Sequence, residues 1–481
     1  MLLFVALSCT WILLTIMFIQ SRRRKNFPPG PPPLPIIGTI PYMSRNLVQT
    51  FERLGKKYGD IISLQIGVFD AIVLNDYKII RDAYKDDVMN GRPKFHFCDA
   101  LCEGNNGILF AEGPEYEEIR RFTFKQLRQL GLGKSTLEDT IISEIKIIED
   151  DFKKFIGVPT DIRNKFSVPV VNALWTITTG ERFSNTDNRV HEVLDEVFMC
   201  MQTGGVACVR HLFPYLRHLP PLKRQAELRY LAAKHMKDLF NETINRHLEY
   251  ESEDFVGLFL KQIKESGEGS PFHGKQGLLQ LKIVLMDLFL TGADTTSTFL
   301  GWFFLLMAAH PDIQKKIQDE VDAHVGQERK PGLTDKHNLK YVEACIQEAL
   351  RFISMAPVIT HKVTDDKLFY GYDFKKGTLL FANIARAMRD PSVWEKPNEF
   401  YPEHFLNGRK VPDAFMPFGT GKRICIGESL ARMELFLFIT HLLQVFTFSL
   451  KDGDTACFEP INPNVLVLAP KPYEIVLKAR Y

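Results

Sequence analysis

The sequence predicts a mainly α-helical fold with a minor, discontinuous β region, preceded by one N-terminal transmembrane helix. Three observations carry this. From about Asn46 onward most of the 481 residues show the apolar spacing of packed helices. Runs with β character are short and scattered. Residues 2–19 form an 18-residue stretch without a charge, just long enough at about 1.5 Å per residue to cross a bilayer core.

A chain of 481 residues is too long for one simple core and long enough for a large two-lobed unit. With 45% hydrophobic and 25% charged residues its composition is that of an ordinary globular protein, and 60 Lys+Arg against 58 Asp+Glu leave a net charge of +2. Such a balance argues against a nucleic-acid binder, which carries a strong basic excess. The eight cysteines are sparse and mostly far apart, unlike the dense framework of a small secreted domain. Cys98 and Cys102 stand four apart. No second Cys/His pair lies near enough to complete a zinc site, so they read as reduced thiols.

The uncharged run is followed at once by Arg22, Arg23, Arg24 and Lys25. A signal peptide has its basic residues first, and the small-residue cleavage site it needs is not evident. Residues 1–20 therefore read as an uncleaved anchor. The positive-inside rule keeps everything beyond residue 25 in the cytosol, which also leaves the sequon Asn241-Glu242-Thr243 unglycosylated. Residues 21–45 hold the basic stop-transfer cluster and then Phe27-Pro28-Pro29-Gly30-Pro31-Pro32-Pro33-Leu34-Pro35. This semi-rigid, polyproline-like spacer would set the angle of the remaining domain, 46–481, to the bilayer.

Within that domain short β-like runs are expected at residues 61–66, 71–74, 369–372 and 379–382, with a hairpin over 465–476 broken at Pro470-Lys471-Pro472. Residues 278–309 read as one long buried helix. Lys282, Asp287, Asp294 and a hydroxyl cluster interrupt it, and its uninterrupted apolar part, 299–309, has 11 residues, too few for a second membrane span. His310-Pro311-Asp312 ends it and starts the next helix, with Pro311 in the first turn.

The decisive stretch is Phe418-Gly419-Thr420-Gly421-Lys422-Arg423-Ile424-Cys425-Ile426-Gly427. Its glycines permit a tight loop and a close approach of backbone to a flat ligand. Cys425 sits just before a helix expected over residues 428 to about 446, whose N-terminal dipole and free amides favour a thiolate. Arg423 is placed for a carboxylate. A lone Cys is ordinarily a small buried hydrophobe; a thiolate in such a loop beside a cation suits haem iron with its paired propionates. The ten residues resemble, without a gap, the haem-ligand signature of the cytochrome P450 family, Phe-x-x-Gly-x-Arg-x-Cys-x-Gly. The resemblance implies that family's fold, with haem b between a long central helix and the Cys loop, and Cys425 as the iron ligand.

Further matches extend along the chain. Glu348 and Arg351 resemble the family's Glu-x-x-Arg, on one face of a helix where they can pair. The arginine that completes this lock in a Pro-Glu-Arg-Phe stretch is His404 here, in Pro402-Glu403-His404-Phe405. Histidine can hydrogen-bond but lacks the arginine fork. Thr291-Gly292-Ala293-Asp294-Thr295-Thr296 resembles the oxygen-activation motif, with Thr291 in place of the usual Ala or Gly. A Gly costing roughly 1 kcal/mol and polar groups in a buried helix conflict locally with stability, as functional sites do. By resemblance Thr295 stabilises the activated oxygen and Asp294 helps deliver protons. Gly113 to Phe122 resembles the Trp-x-x-x-Arg helix, with Tyr116 for the Trp and Arg120 toward a propionate. His361 matches the histidine set against the other propionate. Smaller matches are Gly91-Arg92-Pro93, Asn106-Gly107-Ile108, Gly180-Glu181-Arg182-Phe183 and Pro214-Tyr215-Leu216. The proline hinge and Arg120-Arg121-Phe122 point to the microsomal animal, steroid- and drug-oxidising branch.

The resemblance implies NADPH-dependent monooxygenation of an apolar small molecule (steroid, fatty acid, terpenoid or foreign compound) at the endoplasmic reticulum membrane. Phe289, Gly292, Ala293, Val358, Ile359 and Val465 are expected around the substrate, with residues 94–109 and 356–360. The implied partners are NADPH-cytochrome P450 reductase and cytochrome b5. Arg121, Lys125, Arg128, Lys134 and Lys422 form the expected dock, where rim charges would speed encounter. The alternatives are a haem-dependent ligand-binding or sensor protein without turnover, which His404 and Tyr116 would favour, and a reductase-independent rearrangement, which Asp294 and Thr295 oppose.

Overall fold

A computed structural model of the chain describes residues 11, 15, 25–94, 101–132, 137–185, 187–202, 218–406 and 408–481. Apart from Trp11 and Thr15, the expected anchor lies outside the described residues, as do Arg22 to Arg24, Cys98, Lys134 and the Pro214-Tyr215-Leu216 motif.

The elements run, in order, α1 (Leu47–Tyr58), β1 (Ile61–Ile66), β2 (Phe69–Leu74), α2 (Tyr77–Lys85), α3 (Pro114–Gln129), α4 (Glu138–Lys153), α5 (Ser167–Thr179), α6 (Asn188–Gln202), α7 (Pro220–Leu248) and α8 (Phe255–Glu265). Then follow α9 (Gly274–Ala309), α10 (Pro311–His324), α11 (Lys340–Ile353), β3 (Val358–Lys362), β4 (Lys367–Phe369), β5 (Tyr372–Phe374), β6 (Leu379–Asn383), α12 (Ile384–Ala387), α13 (Glu428–Val445), β7 (Phe446–Leu450) and β8 (Ile475–Ala479). Caps written in the sequence set several starts. The Asn46 side chain accepts from the amide of Gln49, and Asp76 accepts from those of Lys78 and Ile79. Pro311 opens α10 at its first turn, where its missing N–H costs nothing.

The large core is helical and surrounds α9, which is buried on nearly every side and packs against α5, α13 and the turn Arg163–Phe166. Among the described residues α9 is the one helix long and apolar enough to cross a membrane, and 83% of that window lies inside the fold, so it is a core helix. The smaller part is a four-stranded sheet in the order β1-β2-β6-β3, with β2 and β6 parallel and the other pairs antiparallel. Its register sets Thr360 opposite Phe381 and His361 opposite Leu380. The histidine thus enters the fold from the sheet, not from a helix.

Two strand expectations change. Residues 369–372 are not a strand but the tip of the β4–β5 hairpin: Phe369 pairs with Tyr372 around Tyr370 and Gly371, both at positive φ. Glycine at the second turn position makes that conformation cheap. The hairpin expected over 465–476 does not form either. Only Ile475–Ala479 is a strand, and it pairs with Phe446–Leu450. Pro463, Pro470 and Pro472 offer no N–H to a ladder. The intervening loop is tied instead to the helical core, with the Trp302 indole donating to the Leu468 carbonyl at 2.7 Å.

The long helix also holds the loop before α3. Gln276 donates to Asn106 (2.7 Å), Gln280 accepts from the Gly107 amide (2.9 Å), and one oxygen of Asp287 accepts from the amides of Ile108 (2.6 Å) and Leu109 (3.0 Å). Gly107 stands at φ +81, and a Cβ there would come within 2.3 Å of the Asp287 carboxylate, so only glycine fits. Burial pushes the Asp287 carboxyl up to about 7, against the two amide hydrogen bonds. Asp287→Ala leaves two amides without their partner and is expected to cost roughly 2–4 kcal/mol of unfolding free energy. An acid with a raised folded-state pKa loses stability as pH rises from about 4 toward 7. Asp287→Asn, which still accepts, is therefore expected to flatten that pH dependence in denaturant titrations.

Candidate functional site

Cys425 lies in the long connection between α12 and α13. The loop closes on itself: the Cys425 amide donates to the Phe418 carbonyl at 3.0 Å and that of Gly419 to Met416 at 3.0 Å. Gly419 and Gly421 hold positive φ, and a Cβ on Gly421 would sit 2.0 Å from the Tyr84 carbonyl, so the loop rests directly on the end of α2. The thiol is exposed on one side and crowded by protein on the others. That crowding pushes its pKa up, while the amides of Gly427 and Glu428 at the start of α13 and the charge of Arg120 favour the thiolate.

Around this loop the structure gathers cations. Arg423 donates through Nε to the Asn90 carbonyl (3.2 Å) and through Nη2 to that of Ala111 (2.7 Å). Its guanidinium lies 3.5 Å from the centre of the Tyr116 ring. Burial, then the charges of Arg92 and Arg120, pull the Arg423 pKa down to about 10. Arg120 donates to the Ile424 carbonyl. His361 is fully buried on β3, stacked on Tyr84 at 4.0 Å, and its Nδ1 donates to the Met89 carbonyl at 3.1 Å. Burial and the charges of Arg92 and Arg423 hold its pKa well below that of an ordinary imidazole.

The buried polar atoms of this cluster without a hydrogen-bond partner include Tyr116 Oη, His361 Nε2 and Arg423 Nη1. Buried polar atoms are almost always paired, and these gather about Arg423, two residues before the cysteine. A flat group carrying iron and two carboxylates meets that set, and a carboxylate at Nε2 would favour the protonated His361 ring. The residues present thus fit a haem.

On α9, Thr295 donates to the Thr291 carbonyl and Thr291 to that of Asp287, both at 2.7 Å. Asp294 is buried and its Oδ2 has no partner; burial pushes its pKa up to about 7, against a hydrogen bond from Thr298. The helix that begins beside Cys425 reaches this motif. Glu434, nine residues after the cysteine (434 minus 425), hydrogen-bonds Thr296, and its full burial raises its pKa far above the carboxylate range.

Glu348, Arg351 and His404 come together, all buried. Arg351 meets Glu348 through two hydrogen bonds of 2.8 and 2.7 Å and donates its remaining hydrogens to the carbonyls of Met388, Pro397 and Glu399. His404 fills the third place: Nδ1 donates to Glu348 at 3.0 Å and Nε2 accepts from the Lys396 amide at 3.4 Å. That pairing uses the neutral ring, so no second cation is needed.

The residues expected around the substrate divide. Ile359 lies against the Cys loop, its Cδ1 3.4 Å from where a Gly419 Cβ would stand. Val358 is half-buried on the same strand and Val465 is buried. Ala293 lines a cavity together with Asp294. The Phe289 ring packs among Trp175, Phe183 and Phe240 with centroids 5.5–6.1 Å apart. Gly292 likewise faces α5, where a Cβ would meet Leu174 at 2.6 Å; it permits close helix packing. Sequence reading missed Glu434 and gave Asp287 and Arg92 no role. A single acid within an otherwise apolar helical run was the available signal for the two acids.

The family model described as Cytochrome P450 matches residues 28–477. Similar curated proteins include cytochrome P450 2L1 of Panulirus argus, 34% identical over 96% of this chain and 97% of its own length. Cytochrome P450 2D6 of Homo sapiens is 34% identical, covering 96% of each chain. Cytochrome P450 2J2 of Homo sapiens is 35% identical over 91% of this chain and 88% of its own.

Removing one partner of a buried ion pair strands the other. Arg351→Ala is expected to cost roughly 3–5 kcal/mol in chemical denaturation, and His404→Ala, which unpairs one Glu348 oxygen and the Lys396 amide, roughly 1–3 kcal/mol.

Proposed function

The chain belongs to the cytochrome P450 family of haem monooxygenases, and from that premise we propose that it inserts one oxygen atom of O2 into an apolar small molecule: a steroid, fatty acid, terpenoid or foreign compound. Electrons come from NADPH through NADPH-cytochrome P450 reductase, with cytochrome b5 as a second donor. The observation that carries this reading is the set of orphaned buried polar atoms gathered about Arg423, two residues before Cys425.

Cys425 is the iron ligand in this reading, and Tyr116, His361 and Arg423 hold the two propionates, with Arg120 bracing the loop at Ile424. Bound haem b supplies the oxygen chemistry, its iron made electron-rich by a thiolate. The protein positions, excludes water and moves protons. Asp294, with a pKa near 7, can give and regain a proton at cellular pH. The Thr295 hydroxyl, its hydrogen committed to Thr291, keeps its lone pairs free to accept a hydrogen bond. Glu348, Arg351 and His404 act at a distance, fixing the chain between α11 and the Cys loop.

Residues 1–20 anchor the chain in the endoplasmic reticulum membrane with 46–481 in the cytosol; the uncharged run and the basic cluster after it support this. Arg121, Lys125 and Arg128 are exposed on one face of α3, whereas Lys422 is engaged by Asp87. That face is the proposed reductase dock. His404 and Tyr116, which would favour a binding-only protein, both make contacts that serve the haem reading.

Cys425→Ser is expected to abolish the long-wavelength Soret band of the reduced carbon monoxide complex, and its retention would sink the ligand assignment. Lys125→Glu is expected to slow reductase-supported turnover severalfold at low ionic strength, with the difference fading as salt is added. An effect independent of salt would count against the dock.

A further inference from the structure

Glu112 stands where several segments of the cation cluster meet. One carboxylate oxygen, Oε2, accepts from the Arg92 amide at 2.8 Å, and the other, Oε1, from Lys362 Nζ at 2.6 Å. Its own amide donates to Asn105 Oδ1 at 3.0 Å, and its carbonyl accepts from Asn105 Nδ2 at 2.8 Å. The residue before it, Ala111, offers its carbonyl to Arg423 Nη2 at 2.7 Å. One dipeptide therefore binds Arg423, the chain at Arg92, the strand that carries His361 and the loop before α3. That strand, β3, is the last of its sheet, and residues 88–92 cover its outer edge. The Lys362 amide donates to the Gly91 carbonyl at 2.9 Å, the Thr364 amide to that of Val88 at 2.8 Å, and Arg92 Nη1 to the Thr360 carbonyl at 3.1 Å. His361 meets the Met89 carbonyl in the same stretch. A Cβ on Gly91 would stand 2.7 Å from the Lys362 carbonyl and 2.9 Å from Glu112 Oε2, so this approach needs glycine.

We propose that Glu112 is a positioning residue of the propionate cradle: through Lys362 and the Arg92 amide it fixes His361 and Arg423 relative to each other, and its charge offsets the cations gathered there. The proposal rests on the haem reading above. The side chains of Glu112 and Lys362 are each 22% exposed, so their pair is better shielded than one on the open surface. At Arg423 the Glu112 charge opposes those of Arg92 and Arg120. Removing the carboxylate therefore acts in two ways. It frees the edge of β3 from the chain at Arg92, and it leaves the cluster more positive.

Position and charge separate in the full-length holoenzyme. Glu112→Gln keeps an acceptor for the Arg92 amide but gives Lys362 no carboxylate; Lys362→Met keeps the alkyl stem and removes the ammonium. Both break the pair, so both are expected to speed haem transfer to excess apomyoglobin severalfold. The ferric–ferrous potential is expected to rise in Glu112→Gln, where an uncompensated cation favours the added electron, and to fall in Lys362→Met. The double variant should release haem no faster than the faster single variant and should return toward the parent potential, because the two residues act as one unit. A residue that only stabilised the fold would not shift the potential in opposite directions. Unchanged haem release in both single variants would overturn the positioning role, and so would potentials that move the same way. Should Glu112→Gln fail to fold, Lys362→Met decides by its release rate and by the direction of its potential. Failure of the haem reading itself shows elsewhere, as a long-wavelength band retained in Cys425→Ser.

Discussion

A buried guanidinium needs an anion, and at Arg423 the protein supplies only carbonyls. Its charge is crowded by Arg92 and Arg120, and Glu112, which offsets part of it, is already engaged by Lys362 at 2.6 Å. Burying an ion without a partner costs several kcal/mol, so this cluster is stable only around something negative. Carboxylates that would satisfy Arg423 would also offer partners to Tyr116 Oη and His361 Nε2, which have none in the protein. The architecture follows from that constraint: the sheet delivers His361, α3 delivers Tyr116 and Arg120, and the glycine loop delivers Cys425 and Arg423 together.

The second constraint is that the two sides of the site be held in one frame. Helix α13 begins three residues after the cysteine and touches α9 at Thr296 through Glu434, a carboxyl whose pKa burial raises. Helix α11 fixes the approach to the Cys loop through Glu348 and Arg351, which binds three carbonyls of the chain leading into it. Asp287 and Gln280 clasp the loop before α3 from the same central helix. Ligand cradle, proton-bearing turn and covering loop are therefore all referenced to α9.

Much of this was legible in the sequence because the chemistry is local there. The Cys425 decapeptide, the 348/351 spacing and the run around Gly292 each lie within ten residues, and the long helix announced itself by composition. What escaped was non-local or rotational. The pairing of Phe446–Leu450 with Ile475–Ala479 joins segments whose alternation is weak, and the prolines before β8 hid which residues could form a ladder. On an almost wholly apolar helix the sequence does not say which face meets which neighbour, so the packing of Phe289 on Trp175 was not legible. Glu434 and Asp287 read as interruptions, since their partners, Thr296 and the amides of Ile108 and Leu109, are distant in the chain. His404 read as a departure; its two ring nitrogens turn out to be used on Glu348 and Lys396.

The central claim is that the orphaned polar atoms about Arg423, beside the Cys425 loop, are there to hold two carboxylates. Reconstituting the haem-free protein with haem b in competition with its dimethyl ester tests this most directly, because the two differ only at the propionates. The account predicts that the ester is retained far more weakly and that Arg423→Ala and His361→Ala erase most of the difference. Equal retention of both in the unaltered protein would contradict it.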